Sequence, residues 1–150
     1  MKKTLLSAVI LVATLSALPV HARIGETMEQ LVQRYGEGQK VNNTRMPVGE
    51  QFEFTKKPFG VQAVMLDGKC VKEVLHRVEG PIISDVEIKE LLKANGEGHT
   101  WAYIRKDEVW MRSDHKVRAF RQPGHPDFFF IEDVAAVKDA KNGKGKLDGF

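Results

Sequence analysis

The stretch QFEFTKKPFGVQAVMLDGKCVKEVLHRV, residues 51–78, decides the fold. Phe52 and Phe54 alternate with Gln51, Glu53 and Thr55, and Phe59, Val61, Ala63 and Met65 keep the same two-residue spacing, as half-buried strands do. Lys56-Lys57-Pro58 interrupts the two runs. Asp67-Gly68 favours a type I′ turn, because both central residues must accept positive φ, and Lys69 to Val78 becomes the return strand. Val71, Val74, Leu75 and Val78 also fit one face of a helix, and periodicity alone does not separate the two. The turn dipeptide and the β-branched content favour the strand.

Upstream, Thr27 caps a helix and Gln30 closes a capping box, with Met28, Leu31, Val32 and Tyr35 on one face and Gly36 as the stop. The spacing predicts a helix from about Thr27 to Tyr35. Glu37 to Gly49, with Gly38, Asn42, Asn43 and Pro47, reads as a loop. Downstream, Ser84 and Glu87 form a second capping box. Val86, Ile88, Leu91 and Leu92 give that helix its apolar face, and Asn95-Gly96 ends it. Short strands follow at Thr100 to Arg105, Val109 to Arg112, Val117 to Arg121 and Phe128 to Ile131, then a helix from Glu132 to Ala140. The fold class expected is α+β, with short helices on an antiparallel sheet made of a hairpin plus a meander.

Residues 1–22 have the order of an export signal: basic Lys2 and Lys3, an apolar run from Leu5 to Leu18, and Val20-His21-Ala22 before the cut. Cleavage is expected between Ala22 and Arg23. The apolar run is 14 residues, and a spanning helix needs roughly 20. A periplasmic or secreted protein without a retained anchor is therefore expected. The leader carries no acidic residue, so its loss leaves 21 Lys and Arg against 20 Asp and Glu, a formal charge of +1. That balance argues against nucleic-acid binding, which needs a concentrated positive face. Only the tail is locally basic, at Lys138, Lys141, Lys144 and Lys146. One domain over residues 23–141 is expected, with residues 142–150 as a mobile tail. The single cysteine, Cys70, closes no disulfide within the chain and reads as a small buried residue.

The segment Ile24-Gly25-Glu26-Thr27-Met28-Glu29-Gln30-Leu31-Val32, with Tyr35-Gly36 after it, resembles the opening of small exported α+β domains of the BamE-like and β-lactamase-inhibitor-like kind. Phe59 to Val71, with its Asp67-Gly68-Lys69 turn, resembles their hairpin strands. Trp101 and the terminal Leu147-Asp148-Gly149-Phe150 also look like those of uncharacterised secreted bacterial proteins. The resemblance implies an interaction domain without catalytic residues. No lipobox cysteine is present, so it does not extend to a lipid anchor.

The remaining residues offer little chemistry. Cys70 and His76 share a face of the predicted strand, but six residues at ~3.3 Å each keep them too far apart for a nucleophile and its base. His99, His115, His125, Asp114 and Asp127 lack the tight spacing of a structural zinc site, and His125-Pro126-Asp127 reads as a turn. Gly96-Glu97-Gly98 lacks a P-loop lysine and the dinucleotide fingerprint. No metal or cofactor is expected. The constellation that stands out is Trp101, Tyr103, Arg105, Trp110, Arg112, Arg118 and Phe120: if register aligns these residues, one sheet face presents aromatic and arginine side chains together, as protein interfaces do. The competing reading puts the aromatics in the core and the arginines at strand ends. The expected function is non-catalytic recognition of another envelope or secreted protein. The alternative is a small-ligand binder or minor hydrolase with a site near Cys70, His76 or His99.

Overall fold

The computed structural model describes residues 23–42 and 49–143, so the leader and most of the basic tail lie outside the described residues. The first helix, α1 (Met28–Tyr35), starts as its sequence dictates: Gln30 N donates to Thr27 Oγ1, and the Gln30 side chain accepts from Thr27 N at 2.9 Å. Gly36 ends it at φ 88°, a conformation that disfavours a side chain. The first strand, β1 (Gln39–Val41), lies in the segment expected to be a loop. Three residues are too few for a periodic signal, and the strand is specified by its partner, β2 (Glu50–Lys56), through Lys40↔Phe52. Next come β3 (Phe59–Leu66) and β4 (Lys69–Arg77), joined by the expected turn, where Asp67 and Gly68 take φ of 50° and 73°.

Helix α2 (Asp85–Ala94) begins at the Ser84 and Glu87 capping box. Four strands follow: β5 (Trp101–Ile104), β6 (Val109–Arg112), β7 (Val117–Gln122) and β8 (His125–Asp133). The turn between the last two falls at Pro123-Gly124, with Gly124 at φ 76°. His125 to Asp127, expected as a turn, are therefore the start of β8. Glu132 likewise belongs to β8 and not to the final helix, α3 (Val134–Lys141). Asp133 caps that helix, its side chain accepting from Ala136 N at 2.8 Å.

Among the described residues the eight strands form one antiparallel sheet in the order β1-β2-β3-β4-β8-β7-β6-β5. The expected hairpin and meander are thus a single sheet, joined where β4 pairs with β8 through Glu73↔Ile131 and Leu75↔Phe129. The connectivity also repeats: a helix and four strands, then another helix and four strands, meeting antiparallel at the centre. α1 and α2 cover the same face. Leu31, Tyr35, Ile88 and Leu91 pack with Phe54, Val61, Leu75, Phe129 and Ile131 in one core. α3 lies against β4 and β8. None of the described helices is long and apolar enough to cross a membrane.

Candidate binding face

Register fixes which side chains share a face. One row runs across all eight strands on the helix-covered side: Lys40, Phe52, Ala63, Glu73, Ile131, Ala119, Trp110 and Tyr103. The neighbouring row on the other side holds Val41, Gln51, Val64, Lys72, Glu132, Arg118, Met111 and Ala102. The seven residues singled out from the sequence therefore divide. Trp101, Tyr103, Trp110 and Arg112 face the helices, Arg118 and Phe120 face away from them, and Arg105 lies exposed in the turn after β5.

Arg118 and Phe120 sit in a cluster of cations and rings on β4, β8 and β7. Glu132 is only 1% exposed and is flanked by both cations of its row: Arg118 donates through Nε at 2.8 Å and Nη2 at 2.5 Å to Oε1, and Lys72 Nζ lies 3.1 Å from Oε2. Burial pushes the Glu132 carboxyl up, but the charges and donors of Lys72 and Arg118 outweigh it and hold the group below its ordinary range. The anion thus fixes two cations that would otherwise swing freely. In the next row Phe130 and Phe120 stack with centroids 5.1 Å apart and planes 5° from parallel. Lys72 lies 5.0 Å from the centroid of Phe130 and Arg118 5.5 Å from that of Phe120, within cation–π range.

His76 and Phe128 extend the cluster, with ring centroids 5.7 Å apart. Gly60 makes room for this imidazole: a Cβ there would stand 2.4 Å from His76 Cε1. The Arg118 side chain is 38% exposed, and its Nη1 makes no hydrogen bond among the described residues. The patch therefore offers a positioned guanidinium and partly exposed rings, which can take a carboxylate, a carbonyl or another ring. Sequence reading missed Lys72, Glu132, Phe128 and Phe130. The available signal was the Lys72, Val74, His76 alternation, which mixes cation and apolar residues on the side away from the core.

Arg112 has a different task. It is 5% exposed and donates to Asn95 O at 3.0 Å, to Glu97 Oε2 at 2.9 Å and twice to Asp114, at 3.0 and 2.8 Å. It clamps the end of α2 and the turn at Glu97 to β6. Hydrogen bonds from Arg112 hold the Asp114 carboxyl down at about 2. His99 joins this cluster, with Ser113 Oγ 3.5 Å from Nδ1 and Asp114 Oδ2 3.6 Å from Nε2. The three residue types are those of a hydrolase triad, but both contacts exceed hydrogen-bonding reach for proton transfer, and Arg112 already occupies both Asp114 oxygens.

Cys70 and His76 do not share a face as expected. A bulge at Val64/Met65 pairs Met65 with Cys70 and Val64 with Lys72, so Val71 is the extra residue and the alternation shifts. Cys70 points into the core and His76 to the other side. Burial, and then the nearby Glu73, push the Cys70 thiol well above its ordinary range. Glu73 is itself buried in the core, and neither carboxyl oxygen has a hydrogen-bond partner among the described residues. Burial and then repulsion from Glu26 raise it to about 8, against the opposing pull of Arg34, which pairs with Glu26. Among the described residues, no three His, Cys, Asp or Glu side chains gather where a metal could be held. Compared with protein-family models, with curated proteins and with solved structures, the chain finds no match.

Proposed function

We propose that this is an exported, non-catalytic recognition domain that holds another envelope or secreted protein against the sheet face carrying Lys72, Arg118, Phe120 and Phe128. The observation that carries this reading is the cluster around Glu132. A buried carboxylate that immobilises two cations over two stacked rings orders the side chains before a partner arrives, which lowers the entropy cost of binding. Arginine and aromatic groups are the types that dominate interface energetics. Export is supported by the leader pattern of residues 1–22. The resemblance to BamE-like and β-lactamase-inhibitor-like domains belongs to the same proposal and rests on the quoted sequence phrases.

The inward, high-pKa thiol of Cys70 and the committed carboxylate of Asp114 support the non-catalytic side of the proposal, since neither is a ready nucleophile or base. Affinity capture from the envelope fraction of the producing cell, with wild-type protein and Arg118→Glu side by side, tests it. One stoichiometric partner is expected with wild type, weakened at least tenfold by the substitution. Equal recovery with both proteins would refute this face.

A further inference from the structure

Among the described residues β5 is the last strand of the sheet and pairs only with β6. Ser113 N donates to Thr100 O at 2.8 Å, which marks residues 100 and 113 as a hydrogen-bonded pair. Alternation along an antiparallel ladder then directs the backbone groups of Ala102 toward β6 and turns the N–H and C=O of Trp101 and Tyr103 outward. Among the described residues no strand covers them. Uncovered edges of this kind are templates for another backbone.

A cleft of about 510 Å³ reaches the same edge on the helix-covered side. Its apolar wall is Ile88 of α2 with the rings of Tyr103 and Trp110. Those rings have centroids 4.8 Å apart at 46°, and Trp110 continues inward to meet Phe129 edge-on at 5.7 Å. Tyr103 remains 50% exposed. The rim carries Asp85 and Glu108 against Lys89 and Arg121. These charges balance, and Arg121 already donates to Ile83 O at 2.6 Å and Pro126 O at 3.1 Å. The cleft therefore gives no net attraction to a charged group, while its row of rings can be extended by one more.

The geometry points to β5 as a docking edge for an extended segment of a partner polypeptide, which adds a ninth strand through the backbone of Trp101 and Tyr103 and lays a neutral aromatic side chain in the cleft. Two features of the edge require a peptide. Outward N–H and C=O groups on an extended strand match another extended backbone, and the cleft beside Tyr103 selects one side chain. This edge is separate from the face around Glu132 and does not depend on it.

Selection of a displayed library of random decapeptides against the purified protein tests the edge. Enriched sequences are expected to share an aromatic residue, to bind Arg118→Glu as well as wild type, and to weaken at least tenfold on Tyr103→Pro, which removes one outward N–H together with the ring that walls the cleft and leaves the ladder to β6 intact. As a measurement that needs no variant, hydrogen exchange at the Trp101 and Tyr103 amides of wild type is expected to slow at least tenfold when a selected peptide binds. Enrichment of no aromatic-bearing sequence would overturn the proposal, as would unchanged amide exchange. Peptides lost with Arg118→Glu but retained with Tyr103→Pro would place binding on the other face and equally overturn it.

Discussion

Glu73 shows how one side chain sets the pH response of a fold. Its carboxyl is in the core between Cys70, Glu26 and Arg34, without a hydrogen-bond partner among the described residues, and it holds its proton up to about 8. The folded state thus binds a proton that the unfolded chain, titrating near 4.5, has lost. The contribution of Glu73 to stability is fullest below about pH 4.5 and is lost as pH rises toward 8, by roughly 3–5 kcal/mol in all. Glu73→Gln is expected to flatten the stability profile between pH 5 and 8, as read by urea denaturation at several pH values. An unchanged slope would show that another group controls it. None of this was legible in the sequence. In Lys72-Glu73-Val74 a glutamate between strand residues reads as solvent-facing, and only the bulge opposite Val64/Met65 turns Glu73 inward. The same one-residue slip separates Cys70 from His76.

At the scale of elements, what could be read in advance was what local hydrogen bonds specify. Thr27 with Gln30, Ser84 with Glu87 and Asp67-Gly68 each satisfy backbone or turn geometry within a few residues, so their helices and hairpin were placed from sequence. β1 depends on its pairing with β2, ten or more residues on, and the first residues of β8, next to Gly124 and including Pro126, carry turn composition although His125 already pairs with Gln122, so there local composition misled. Arg112 illustrates an element-level role that spacing could not disclose, because its acceptors on Asn95, Glu97 and Asp114 meet only when α2 and β6 are both in place. Arg112→Ala is expected to destabilise the fold by about 2–4 kcal/mol, since it leaves a carbonyl and two carboxylates without their guanidinium donor. Asp114 should then titrate upward from about 2 toward the usual carboxylate range. With Arg112 present, its share of stability is complete above the ordinary value of 3.8 and is lost as pH falls through about 2. Denaturation curves at pH 7 and pH 2.5 read both effects, and a variant as stable as wild type at pH 7 would exclude the clamp.

The whole molecule is a sheet with two unlike sides. One side is closed by α1 and α2 over a shared core, and the other gathers Lys72, Arg118, Phe120 and Phe128 around Glu132. The α+β class was legible, but the joining of hairpin and meander through β4 and β8 was not, because pairing between distant strands leaves no local mark. For the same reason the aromatic and arginine residues noted along the meander could not be sorted onto two faces in advance. The repeated helix-and-four-strand connectivity is likewise a property of topology without a visible sequence period. The proposed partner touches the sheet on the side away from α1 and α2. A photo-crosslinking residue placed at Phe120, and separately at Glu29, which is exposed on α1 away from the β5 cleft, reads that contact in the producing cell. A single discrete adduct at position 120 and none at position 29 is the result predicted; adducts at both positions in equal yield, or at position 29 alone, would contradict it.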